Sequence, residues 1–213
     1  MNEIVEKREI ENNVVNVTGE VVSLPEFSHE VFGEGFYIVD LSVARMSQTP
    51  DVFHVMISER LTNIDDIRIG GIYEINGQLR SFNKHEENSN HLLLTVFARE
   101  LRKIDSEEFI ANNFVKLDGY LCKKPVYRKT PLGREIADVL LAVNRPYGKS
   151  DYIPCICWGR NARWMESEQV GARVEMIGRF QSREYVKKID EEESEKRIAY
   201  EVSVSRVNFV EHE

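Results

Sequence analysis

Apolar side chains fall on alternate positions in run after run of this chain, the two-residue period of strands buried on one face. In the C-terminal half the runs read FVKLDGYLC (114–122), EIADVLLAVN (135–144), DYIPCICW (151–158), RVEMIGRFQSREYV (173–186) and IAYEVSVSRVNFV (198–210). Between the third and fourth the period breaks. There GRNARWMESEQVG (159–171) holds helix formers, with apolar Ala162, Trp164 and Met165 and with Gly171 as a closing cap, and predicts a short helix. Five strands with one helix between the third and fourth is the order of an OB-fold, a small Greek-key barrel that commonly binds oligonucleotides or oligosaccharides.

The same pattern occurs twice. NNVVNVTGEV at Asn12 matches NNFVKLDGYL at Asn112, an offset of 100 residues. The offset persists, with LSVAR at Leu41 against LAVNR at Leu141 and DVFHVMIS at Asp51 against DYIPCICW at Asp151. After one residue of slippage IYEINGQLRS at Ile72 meets RVEMIGRFQS at Arg173. The chain therefore reads as an all-β protein of two tandem OB-folds, residues 1–105 and 106–213, each with one short helix and joined near LRKIDSEEF (101–109).

Composition narrows the function. The N-terminus, MNEIVEKREIENN, is charged without an apolar stretch, and no apolar run approaches the ~18 residues that span a bilayer, so the expectation is a cytoplasmic protein without membrane contact. The net charge of -8 argues at first against nucleic acid, but it is unevenly spread. Residues 1–105 hold 10 Lys and Arg against 18 Asp and Glu, whereas residues 113–189 hold 15 against 8, a net of +7. Cys122, Cys155 and Cys157 make an odd count with no disulfide framework, and the Cys-x-Cys spacing is wrong for a zinc knuckle. Reduced, buried thiols are the expected state. No Gly-rich phosphate loop, spaced metal cluster or nucleophile beside a histidine is present, so neither an enzyme nor a cofactor is expected.

The third strand of the second unit separates packing from chemistry. Alternation puts Ile153, Cys155 and Cys157 on one face, suited to the barrel interior, and Tyr152, Pro154, Ile156 and Trp158 on the other, which can stay open to a ligand. Basic groups interleave with the aromatics of this unit, as in a groove that tracks phosphates while bases stack. They are Arg145 and Lys149 around Tyr147, Arg160 after Trp158, Arg179, Arg183, Lys187 and Lys188 around Tyr185, and Arg128, Lys129 and Arg134 on the first hairpin.

Taken in order, RKTPLGREIADVLLAVNR (128–145), DYIPCICWGRNA (151–162) and GRFQSREYV (178–186) resemble the bacterial single-stranded DNA-binding protein (SSB) family over nearly the whole second unit. The resemblance implies base stacking on Tyr147, Tyr152, Trp158 and Tyr185. It implies sequence-independent binding of single-stranded DNA in replication, recombination and repair, a nucleoid-associated location, and a homodimer that brings four OB-folds together. RNA is left open as a ligand, and replication or repair proteins as partners. A primosome-like or other protein-interaction OB module is the alternative.

The first unit departs from this pattern. At the offset of 100, Tyr147 becomes Ser47, Tyr152 becomes Val52 and Trp158 becomes Ser58, while Tyr185 falls near Lys84. Lys149 and Arg163 have no basic counterpart. This unit is expected to keep the fold, lose the ligand face and serve a structural or partner-binding role, with a footprint shorter than is usual for the family. The chain ends at NFVEHE without the Gly, Pro and Gln-rich linker and acidic Pro-Phe tip of typical members, so the expectation is a specialised relative without tail-mediated recruitment. The acidic DEEESEK (190–196) is read as a solvated hairpin tip.

Overall fold

A computed structural model describes residues 11–45, 49–86, 89–188 and 194–210, with side chains except at 83–86, 89–91 and 187–188. The first barrel is built from β1 (Asn13–Val21), β2 (Glu26–Val31), β3 (Glu34–Val43), β4 (Asp51–Ser58), β5 (Ile72–Glu86) and β6 (Ser89–Ile104). The second follows with β7 (Asn112–Leu121), β8 (Val126–Lys129), β9 (Glu135–Asn144), β10 (Ser150–Trp158), the helix α1 (Arg160–Glu166), β11 (Arg173–Lys188) and β12 (Ser194–Phe209). Each closes in the same way. In the second, β7 pairs with both β11 and β9, β11 with β12, and β12 with β10 in parallel, while β8 is a short ribbon on β9.

The interior follows the alternation of the sequence. Val115, Leu117, Val139, Leu141, Ile153, Cys155, Cys157, Phe180 and Val202 are buried together, and Val15, Val17, Leu41, Phe53, Val55, Leu79 and Val96 play the same part in the first barrel. Gly77 and Gly178 sit at equivalent β-bulges where β5 and β11 bend. A Cβ at either would run into the carbonyl oxygen of Phe97 or Ser203, so only glycine allows this approach.

Some local details differ from the pattern reading. Among the described residues the second unit has six strands, because β8 is added; its sequence VYRK is too short and too basic to register as an apolar run. The helix α1 stops at Ser167, and Gly171 (φ 90°) shapes the later turn into β11, its N–H bonded to the Leu121 carbonyl. In the first barrel the helix is a single 3-10 turn, Ile64–Asp66, whose N-terminal Asp65 N–H is capped by the Asn63 side chain. The acidic run read as a hairpin tip lies largely outside the described residues.

The two barrels share one twelve-stranded sheet through antiparallel pairing of β1 with β7. Val15 lies opposite Val115, so the junction is a two-fold axis between repeated residues. A second layer of contacts crosses it, with β4 against β11 and β5 against β10, and Phe53 meets Phe180 at 4.6 Å between ring centres. Around it lie two matching charged clusters. Asp51, fully buried, accepts hydrogen bonds from Arg45 Nε (2.6 Å), Arg179 Nη1 (2.7 Å) and the Ser182 N–H (2.9 Å). Asp151, also fully buried, accepts from Arg145 Nε (2.5 Å), Arg80 Nη1 (3.0 Å) and the Ser81 N–H (2.7 Å). In each cluster one arginine comes from the same barrel and the other from its neighbour. Arg80 contacts Gln78, and Arg179 donates to Gln181, so the Arg and Gln positions of the motif are exchanged between copies while the cluster survives. Burial pushes the Arg80 and Arg179 guanidinium pKa values down, an effect the aspartates only partly oppose.

Candidate nucleic-acid interface

The outer face of β9, β10 and the long β11–β12 ribbon carries the four rings singled out by the sequence. Tyr152 and Trp158 on β10 are 48% and 36% exposed, Tyr185 on β11 is 37% exposed, and Tyr147 is fully exposed in the turn between β9 and β10. Alternation along β10 accounts for the first two, since Cys155 and Cys157 fill the barrel below. There burial raises both thiol pKa values, that of Cys157 to about 12 and that of Cys155 well above the ordinary thiol value, which keeps them protonated and inert. Ile156, assigned by alternation to the open face, is instead buried: it lies between β9 and β12 at the centre of that face, opposite Asp138 and Ser203.

The rings are individually held. Trp158 Nε1 donates to Ser203 Oγ at 3.1 Å, and the Arg183 guanidinium lies 5.9 Å from the Tyr185 ring centre. Tyr147 occupies the left-handed region (φ 66°) ahead of Gly148 (φ 72°). A bulky side chain there is uncommon and costs about 1 kcal/mol, and such strain concentrates at ligand sites. The N–H of Arg145 donates to the Lys149 carbonyl (2.7 Å) and closes this turn. A groove of about 1020 Å³ opens beside it along the junction of the barrels, lined by Arg80, Arg145, Tyr147, Tyr120 and Arg173 among others.

The ten cations expected to meet phosphates differ in their surroundings. Lys129, Arg134, Lys149 and Arg160 are exposed, the last with its guanidinium 5.1 Å from the Trp164 ring centre. Arg128 is exposed but paired with Asp138 (2.7 Å), and Arg183 is half-exposed and paired with Glu201 (3.1 Å). Arg145 and Arg179, also in the expected phosphate set, are partly exposed and bond the buried aspartates between the barrels. The side chains of Lys187 and Lys188 lie outside the described residues. Sequence reasoning missed Arg80 and Ser81 of the first barrel, which reach the start of β10. The signal was present in the repeat itself, as the shared Arg-x5-Asp of Arg45–Asp51 and Arg145–Asp151 and the shared serines Ser81 and Ser182.

The equivalent face of the first barrel is differently furnished. Ser58, in the position of Trp158, is buried and donates to Glu34, which also pairs with Arg60 (3.1 Å). Phe97 holds the β6 position that Ser203 holds in β12, and it packs 5.9 Å from Phe36. His54, in the position of Pro154, is bonded to Asp40 (2.6 Å) and is approached by the Tyr200 hydroxyl of the second barrel (3.4 Å). On the hairpin, His29, Glu30 and Glu34 stand where the second barrel has Arg128, Lys129 and Arg134. Ser47 and the Lys84 side chain lie outside the described residues.

The barrel topology defines a tandem OB-fold protein with an aromatic, basic face on its second barrel. Comparison with known proteins gives the family: residues 112–210 match the model of the single-strand binding protein family. The chain is 34% identical over 106 residues to single-stranded DNA-binding protein B of Bacillus subtilis, covering 46% of this chain and 90% of that one. It is 33% identical over 106 residues to the single-stranded DNA-binding protein of Halalkalibacterium halodurans, covering 46% of this chain and 61% of that one. The chain belongs to the single-strand binding protein family. It spans about three fifths of the length of the H. halodurans protein and of the B. subtilis protein A. In fold, both barrels match the wild-type single-stranded DNA binding protein of Thermus aquaticus, with a TM-score of 0.73, 20% identity and 94% of each chain covered. A deletion mutant of the same protein superposes with a TM-score of 0.77 at 19% identity.

Proposed function

We propose that the chain binds single-stranded DNA without sequence preference, through the second barrel. The observation that carries this reading is the set of four exposed rings on one barrel, with Lys129, Arg134, Lys149 and Arg160 exposed on the same unit. Each ring offers a π-face to any base, and the lysines and arginines meet the phosphates between them. The protein acts by binding and protecting the strand, not by chemistry upon it, in replication, recombination and repair. The first barrel lacks the platforms and reverses the hairpin charge, so each chain offers one binding face and occupies a short footprint. A homodimer with four OB-folds, two of them ring-bearing, is the expected assembly, and the nucleoid the expected location.

A second reading, a protein-interaction module, is favoured by one feature of the first barrel. Its acidic hairpin exposes Phe27 and, at the tip, the whole of Phe32 in a left-handed conformation (φ 51°). Gel shifts with single-stranded DNA, duplex DNA and RNA at two salt concentrations separate the readings. A single-strand preference that weakens with salt supports strand binding, and absence of binding to all three promotes the interaction module. RNA bound as tightly as DNA would mean that the rings ignore the sugar, as stacking alone does.

A further inference from the structure

The strand that carries Tyr152 is incomplete in its own barrel. Along its whole length β10 pairs with β9, but it pairs with β12 only at Cys155, Ile156 and Cys157. The half that holds Asp151 and Tyr152 thus has one backbone edge without a partner strand. That edge is met from the first barrel: the Tyr152 N–H donates to Ser81 Oγ at 2.8 Å, and the Ser81 N–H donates back to Asp151 at 2.7 Å. Arg80 holds the other oxygen of Asp151, and Arg145, at the base of the Tyr147 turn, reaches both Asp151 and the Ser81 carbonyl (3.5 Å).

We infer that the first barrel is part of the strand-binding site without touching the strand: Arg80 and Ser81 are positioning residues that fix Tyr152, and through Arg145 the Tyr147 turn, in the geometry that accepts bases. The inference rests on the proposed single-strand binding and assigns a role to the barrel that lacks rings. The Tyr152 N–H has no partner strand on this edge, and a serine hydroxyl supplied from the first barrel satisfies it and ties the position of Tyr152 to that of β5. Stacking depends on the ring's placement, so slack at this point lowers affinity although every group that meets DNA is still present.

The pseudo-two-fold axis supplies a control within the molecule. Ser182 Oγ accepts the Val52 N–H at 3.0 Å, the mirror image of the Ser81 bond, but Val52 carries no platform. Ser81→Ala, Ser81→Thr and Ser182→Ala are made in the full chain. Stability is measured by denaturant unfolding, the Tyr152 amide by hydrogen exchange, and affinity with a labelled single-stranded oligonucleotide. Both alanine variants are expected to lose similar stability. Ser81→Ala alone speeds exchange at Tyr152 and weakens binding about fivefold, the weaker end of one base stack. Ser81→Thr, which keeps the hydroxyl, restores both. Combining Ser81→Ala with Tyr152→Ala should weaken binding no further than Tyr152→Ala alone. Equal losses of affinity for Ser81→Ala and Ser182→Ala, or full additivity with Tyr152→Ala, would overturn the inference. Failure of the wild-type chain to bind would instead sink the underlying reading, while the exchange rate at Tyr152 still reports whether Ser81 holds it.

Discussion

The two barrels are a natural experiment in what a repeated fold must keep and what it can lose. Both retain the glycine bulges, the Asn13 and Asn113 side chains that bond the backbone of Leu79 and Phe180, and the aspartate clusters at the junction. Only the second has Tyr152 and Trp158 on its outer face, where the first has Val52 and the buried Ser58. The residues common to both copies close the barrels and join them; the rings Tyr152 and Trp158, found in one copy, face outward. Repetition within a chain therefore separates structural positions from ligand positions without any second sequence.

Truncating rings should break this contrast most sharply. Tyr152→Ala with Trp158→Ala removes two base stacks, each worth about 1–3 kcal/mol, and is expected to weaken binding by at least about thirtyfold in an oligonucleotide titration, about 2 kcal/mol or more. The next largest effect is on stability. Asp51→Asn and Asp151→Asn each break a buried ion-pair cluster, and each should cost about 3 kcal/mol in urea unfolding, toward the lower end for such pairs because the arginines retain access to water. The two losses should be alike, since the clusters mirror one another; a large difference would mean that the junction is not symmetric in energy.

Charge comes third. Giving the second hairpin the acid of the first, by Lys129→Glu and Arg134→Glu, should flatten the dependence of log affinity on log salt by about 0.7 for each phosphate that is no longer neutralised. Phe97→Ala, on the first barrel's outer face, should leave affinity unchanged. The smallest effect is chemical: Cys155 and Cys157, held protonated by burial, should not react with a thiol reagent at about pH 8 until the chain is unfolded.

Much of this was legible in the amino-acid sequence because strand periodicity and the 100-residue offset are properties of single positions. The inward cysteines and the outward Tyr152 and Trp158 follow from parity along one strand. Contacts between units do not follow from parity. Arg145 and Arg179 read as phosphate ligands beside aromatics, yet their partners Asp151 and Asp51 are buried, and Arg179 finds Asp51 only across the junction, 128 residues away in sequence. Ile156 has the parity of an open position, but β9 and β12 close over it at the middle of the face. The aromatic Phe97 escaped notice for a related reason: it lies on β6, a strand whose counterpart, β12, has a serine there.

Photocrosslinking offers the most direct test that only the second barrel holds the strand. A halogenated single-stranded oligonucleotide is bound to the full chain, irradiated and mapped by peptide mass spectrometry. Adducts at Tyr147, Tyr152, Trp158 and Tyr185, with none on the first barrel, are the predicted result. Adducts concentrated at Phe27, Phe36 or Phe97 would contradict it and move the site to the barrel assigned the supporting role.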